Sequence, residues 1–178
     1  MPVTLVEKYN PAWPSHFERI VTFLGSGIRQ AALRIEHVGS TAVPGMVAKP
    51  VIDLVIVIAP GTFAAVRRQL EDRGYLWEGD KGLPGREAFA LQNELTSSLP
   101  EHHLYVCEEG ASELRKHLAF RDYLRSHPGE RERLSALKWY LAETLDNDRQ
   151  AYIDGKDAIV LEMTDKAFAW LARRSRTT

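Results

Sequence analysis

Apolar positions in this chain recur at two spacings, and the changes from one to the other mark out its elements. From Asn10-Pro11, where the proline suits a first helical turn, Phe17, Ile20, Val21, Leu24 and Ile28 follow helical spacing and form one apolar stripe. Leu33 to Val38 reads as a short strand ended by Gly39, and residues 39–50 as a loop holding Gly39, Pro44, Gly45 and Pro50. Val51 to Ile58 is rich in β-branched residues and apolar on both faces, the pattern of a central strand. Pro60-Gly61 breaks it, and Phe63, Val66, Arg67 and Leu70 predict a helix to about Arg73.

Tyr75-Leu76-Trp77, after Gly74, predicts a return strand. Glu78 to Gly85 reads as a turn-rich loop, and Arg86–Leu91 and His103–Cys107 as two more strands. Three helices follow over roughly 112–126, 129–146 and 149–172, with Leu134, Leu137, Tyr140, Leu141 and Leu145 as the core stripe of the middle one. The expected fold class is α+β: a mixed sheet flanked by helices over residues 1–110, then a helical C-terminal third over 111–172, in one domain spanning 1–178. With 178 residues, 44% of them hydrophobic and 26% charged, the composition is that of a globular chain with a substantial core.

Charge narrows the partners. Lys+Arg (23) and Asp+Glu (24) nearly cancel, so no global field draws the chain to nucleic acid or membrane. The basic tail Arg173-Arg174-Ser175-Arg176 reads as a frayed, solvated end. Cys107 is the lone cysteine, which excludes an internal disulfide and favours a reducing compartment. The N-terminus lacks the pattern of a signal peptide, and the longest apolar run, Val51 to Ala59 interrupted by Asp53, is too short to span a bilayer. A soluble, cytoplasmic protein is expected.

The chemistry concentrates in residues 37–53. A strand, a Gly-Ser pair, a short turn and a strand carrying a carboxylate form a phosphate-handling layout. Glycine lets backbone approach an anion, Ser40 and Thr41 offer hydroxyl and N–H groups, and Lys49 adds charge. Asp53 is the sharper signal. A carboxylate in an otherwise apolar strand costs several kcal/mol (order of magnitude) unless something meets it. An aspartate at a strand end bonded to backbone amides is the plain alternative; beside a Gly-Ser loop, the reading preferred is an acid that faces a bound cation or phosphate.

This arrangement resembles the DNA polymerase β-like nucleotidyltransferase superfamily, in which a Gly-Ser ending one strand precedes acidic residues on the next. More closely, IEHVGSTAVPGMVAKPVIDLVI resembles the GrpB family of bacterial proteins, a branch assigned to that fold. The likeness continues through Tyr9-Asn10-Pro11 and Trp13, through His103-Leu104-Tyr105-Val106, and through Arg115, Leu118 and Phe120-Arg121-Asp122-Tyr123-Leu124. It ends near Tyr152 and Lys156, and so covers nearly the whole chain. The resemblance implies a nucleotidyltransferase-like fold, a nucleoside triphosphate or nucleotide-containing small molecule as partner, and Mg²⁺ as cofactor.

One feature departs from that pattern. Active nucleotidyltransferases carry two carboxylates two residues apart, aimed at the same metals; here the second position is Val55. Glu36, Glu87 and Glu101 are possible substitutes. Two cations also fall on apolar helix stripes, Arg121 among Leu114, Leu118, Phe120 and Leu124, and Lys156 among Tyr152, Ile159, Met163, Ala167 and Trp170. Each alone reads as a snorkelling stem; together they are expected to line a cleft and neutralise a triphosphate or Asp53. His37 reads first as a satisfied structural histidine, and secondly as a phosphate contact. His103 is a candidate acid or base. His102 and His103 should point to opposite faces, so a shared metal is not expected.

The expectation is therefore an enzyme transferring a nucleotidyl or phosphoryl group from an NTP. Asp53 would hold Mg²⁺ and His103 would assist catalysis, while His37, Gly39, Ser40, Thr41, Lys49, Arg121 and Lys156 would bind phosphate. The alternative is a catalytically reduced nucleotide-binding domain, which Val55 favours. A third is a purely structural interaction module. P-loop kinase chemistry is disfavoured, since no G-x-x-x-x-G-K-[ST] occurs.

Overall fold

A computed structural model describes residues 5–92, 98–145 and 148–175. The first four residues, the far end of the helix expected to reach 146, and Arg176 of the basic tail lie outside the described residues. Helix α1 (Trp13–Ala31) leads into strand β1 (Arg34–Val38), a single 3-10 turn at Ser40–Ala42, and strand β2 (Ile52–Ile58). Helix α2 (Phe63–Glu71) and strands β3 (Tyr75–Gly79), β4 (Glu87–Leu91) and β5 (His102–Glu108) complete the sheet. Helices α3 (Ser112–Ser126), α4 (Pro128–Thr144) and α5 (Arg149–Arg174) follow, so an α+β mixed sheet with a helical last third is what the chain forms. Among the described residues, no helix is long and apolar enough to cross a membrane.

The five strands lie in the order β1-β2-β5-β4-β3, with β2 parallel to β5 and the other pairs antiparallel. Strand alternation assigns the faces. Ile52, Leu54, Ile56 and Ile58 of β2, with Leu104 and Val106 of β5, pack against Ile20, Leu24 and Ile28 of α1 and Val66 and Leu70 of α2. On the opposite face, Val38, Val55, Val57 and Cys107 meet Leu114 of α3. A separate core ties α3, α4 and α5 together and draws in Val43 and Met46 from the loop before β2. Each fully buried aliphatic side chain contributes roughly 1.5–3 kcal/mol, which fixes the register of β2 and hence which way Asp53 points.

Two helical expectations need correction. Tyr140, assigned to the core stripe of α4, is 61% exposed, and Lys138 is buried in its place. The buried edge of α4 runs Leu134, Lys138, Ala142, one turn apart each time, so it follows geometry across a charged residue. The basic tail is also not frayed over its described part: α5 runs through Arg174, whose guanidinium lies 4.9 Å from the centre of the Trp170 ring.

Candidate functional site

Asp53 sits at the start of β2, between Val38 at the end of β1 and His103 near the start of β5, which are its register partners. The acid is part-exposed and faces a hollow. His103 Nδ1 lies 2.8 Å from Asp53 Oδ1, and among the described residues Oδ2 has no hydrogen-bond partner. A carboxylate only accepts, so Nδ1 carries the proton and Nε2 of the neutral ring is left basic. The His103 pKa is raised, first by the hydrogen bond to Asp53 and against the effect of burial.

Gly39 makes this possible. Its φ of 71° and ψ of −169° lie in a region essentially reserved for glycine. A Cβ at this position would stand 2.3 Å from Asp53 Oδ2. The glycine thus lets the chain turn directly beneath the acid, and the 3-10 turn that follows carries Ser40 and Thr41 to the rim.

The hollow measures about 460 Å³ and lies between this loop, the ends of β2 and β5, and helices α4 and α5. Four cations line it: Lys49, Lys138, Arg149 and Lys156. Against them stand two carboxylates, Asp53 and Glu101. Lys49 and Lys156 bracket Tyr152, with their ammonium groups 4.9 and 5.6 Å from its ring centre. Lys138 reaches in from α4 and donates to the Ser40 hydroxyl and, at 3.3 Å, to the Val47 carbonyl. Burial, and then repulsion from Lys156 and Lys49, bring its pKa down to about 7. Lys49 is lowered too, by burial and then by Arg149 and Lys156. Cations this close, facing a void, form a site that is short of negative charge.

The expected site residues separate into two groups. Ser40, Thr41, Lys49, Asp53, His103 and Lys156 converge on the hollow. The Thr41 hydroxyl is, however, shared between His37 Nε2 at 3.0 Å and the Val51 carbonyl at 3.4 Å. His37 lies behind the loop, its ring stacked on Phe17 at 4.9 Å, and burial lowers its pKa to about 4. It is a neutral packing residue there. Arg121 does not line the hollow either: its guanidinium donates to Glu36 at 2.6 Å, to Asp122 at 2.8 Å and to the His37 carbonyl at 3.0 Å. The apolar stripe on α3 placed Arg121 against the sheet correctly, but the anion it meets is Glu36 on β1.

Of the carboxylates weighed as substitutes, Glu36 is held by Arg34 and Arg121, Glu87 accepts from the Trp77 indole at 2.8 Å, and Glu101 lines the hollow. Val55 is fully buried among Val38, Val57, Cys107 and Leu114. Among the described residues, no three His, Cys, Asp or Glu side chains converge as a metal cage. Among the described residues the donor set is compatible with one Mg²⁺ at the open oxygen of Asp53 and does not supply the paired carboxylates of a two-metal centre. Lys138 and Arg149 were not singled out from sequence. Helical spacing from Leu134 contained the signal for Lys138, and a first-turn position in α5 that for Arg149.

Comparisons with known proteins bear on the family and the fold. The profile of the GrpB protein family matches residues 2–166. The UPF0157 protein YqkA of Bacillus subtilis is 33% identical over 174 residues, covering 94% of this chain; the chain spans about half (48%) of that relative's length. The crystal structure of GrpB from Enterococcus faecalis superimposes with a TM-score of 0.80 at 30% identity, covering 93% of this chain and 98% of that one. Cid1 poly(U) polymerase bound to MgATP is similar in fold alone, with a TM-score of 0.51 at 9% identity over 74% of this chain and 42% of that one. With its Gly-Ser loop, its lone acid and a nucleotidyltransferase-like sheet, the chain belongs to the GrpB family.

Proposed function

We propose that this protein binds a nucleoside triphosphate with Mg²⁺ in the cationic hollow and transfers its nucleotidyl group to an acceptor. The observation that carries the reading is the convergence of Lys49, Lys138, Arg149 and Lys156 around Ser40 and the open oxygen of Asp53. Four basic side chains against two carboxylates match a triphosphate in sign and in extent, Lys138 taking up its proton as the anion arrives, and Ser40 at the start of the 3-10 turn offers it a hydroxyl. When bound, the metal would neutralise phosphate charge, with Asp53 holding it.

In the transfer, an acceptor oxygen or nitrogen bonds to the α-phosphorus as the bond from that phosphorus to the pyrophosphate oxygen breaks. Pyrophosphate leaves with the electron pair, and the acceptor's proton passes to His103 Nε2. Asp53 keeps the imidazole oriented through Nδ1. The lysines and Arg149 offset the charge that gathers on the leaving group.

The test is calorimetric titration with ATP, with and without Mg²⁺, alongside thermal shift. Ligand at a hundred times its dissociation constant adds about 2.7 kcal/mol of stability. Asp53→Asn should abolish the enhancement by Mg²⁺ while retaining metal-free binding, and Lys156→Ala should weaken both. Absence of stabilisation by any nucleoside triphosphate at millimolar concentration would refute the proposal. A second reading, a nucleotide-binding domain without turnover, is favoured by the burial of Val55 where a second carboxylate would stand. It predicts tight Mg²⁺-dependent binding with no pyrophosphate release.

A further inference from the structure

A second hollow, of about 640 Å³, adjoins the first and shares Glu101 and His103 with it. It extends from His103 across the β4 and β5 side of the sheet, over Tyr105, Ala88 and Ala90, towards Leu91 and Leu99. Its volume lies in the range of small-molecule sites. Its chemistry differs from that of the cationic hollow: polar and apolar groups line it about equally, and the charge that faces it is nearly balanced.

Arg86 is the exception. Its guanidinium lies over the Tyr105 ring at 4.3 Å from the centroid. Among the described residues it has no ion pair, and its Nε is buried with no hydrogen-bond partner. Lys81, the other cation on the rim, is paired with Glu78 at 2.5 Å. The Tyr105 hydroxyl also has no hydrogen-bond partner among the described residues, and beside its ring His117 stacks at 5.8 Å with a buried, unpartnered Nε2. Unmet donors of this kind are rare in folded proteins, and a guanidinium without an anion is the costliest of them. A planar fork on an apolar floor, one strand away from His103, is suited to a carboxylate or phosphate on an apolar body.

We infer that this second hollow binds a small organic anion, its carboxylate or phosphate held by Arg86 and its apolar body on Tyr105, Ala88 and Ala90, beside the proposed nucleotide site. The hollow ends at His103, so a hydroxyl or amine at the far end of such a molecule faces the first site, as an acceptor must. Its role as acceptor rests on the nucleotidyl-transfer reading; its existence as a binding site does not. A single unpaired cation and a shared wall set it apart from a nucleic-acid groove, which needs a run of cations along a backbone.

The probes are phenyl phosphate and 4-hydroxybenzoate, titrated calorimetrically into the full chain as wild type, Arg86→Gln, Ala90→Leu and Lys138→Met. The expected result is millimolar binding of at least one probe, weakened tenfold or more by Arg86→Gln and by Ala90→Leu and changed less than twofold by Lys138→Met. ATP should show the opposite dependence. Ala90 is part-exposed, so its variant fills the hollow without disturbing the buried core, and circular dichroism establishes folding of all three. The inference is overturned if neither probe binds at 10 mM (about the weak limit of small-anion sites), if Arg86→Gln binds within twofold of wild type, or if Lys138→Met weakens the probes as much as Arg86→Gln does, since they would then occupy the cationic hollow. Failure of ATP binding with Arg86-dependent probe binding retained would sink the proposed function and leave this site standing.

Discussion

Replacing Lys138 by methionine isolates the element on which the proposed anion site depends. Its pKa falls from the ordinary 10.5 to about 7. At about 1.4 kcal/mol per unit, holding that ammonium charged in the folded state costs on the order of 5 kcal/mol. Burial is the larger cause, and the neighbouring lysines add to it. The unfolded chain takes up this proton below pH 10.5, the folded chain only below about 7. Stability therefore rises as pH increases from 7 to 10.5, and below 7 the full penalty is present. Methionine has a similar stem and no charge. It leaves the Ser40 hydroxyl short of one partner, a loss of about 1 kcal/mol. Lys138→Met should thus melt higher than wild type at pH 7 and lose most of the rise in stability between pH 7 and 10. A bound polyphosphate meets the ammonium and restores its proton. At pH 8 most of the free protein has neutral Lys138, so binding should take up protons. Calorimetry of tripolyphosphate or ATP in buffers of different ionisation enthalpy measures that uptake directly. Wild type should show it and Lys138→Met should not, with at least tenfold weaker binding. A variant that melts lower, binds equally and leaves proton uptake unchanged would refute the argument.

Three further outcomes follow from the geometry. Gly39→Ala should destabilise the fold by roughly 1–3 kcal/mol and displace Asp53, because the backbone there is glycine-specific and the new methyl meets the acid; urea denaturation and the His103 imidazole shift by NMR check it. Val55→Asp should not create a second metal ligand. It should lower stability by several kcal/mol, since the side chain is sealed among Val38, Cys107 and Leu114, and a folded variant with gained Mg²⁺-dependent turnover would contradict this. Arg121→Ala should cost roughly 1–2 kcal/mol, since Glu36 keeps Arg34 but the His37 carbonyl loses a charged donor, while leaving ATP affinity within twofold; Lys156→Ala should weaken ATP with little effect on the melting temperature.

Much of this fold was legible from residue spacing. Val51–Ile58 read as a central strand because both faces are buried, and it lies between β1 and β5. The helical third followed from repeating apolar positions, and Gly39, Ser40 and Asp53 marked the site because their chemistry is costly in a core. What spacing could not supply was which side of a helix turns inward. On α4 the residue types favoured Tyr140, yet the neighbouring loop presents Ser40 and the Val47 carbonyl to Lys138, and those partners make a buried ammonium tolerable. On α3 the inward position of Arg121 was readable and its partner was not, since Glu36 is 85 residues away along the chain. His37 illustrates the same limit: its place next to Gly39 is close in sequence, but strand alternation turns it onto Phe17.

The parallel pairing of β2 with β5 sets when the site comes into being. Asp53 and His103 meet across a strand pair whose intervening chain builds α2, β3 and β4, and the cations from α4 and α5 arrive later still. Closing so long a loop is rewarded only when the sheet is already consolidating, which ties the appearance of the binding hollow to the last cooperative steps of folding. On the proposed reading, a chain lacking any one of these elements lacks part of the site, so ligand binding should report on the assembled protein.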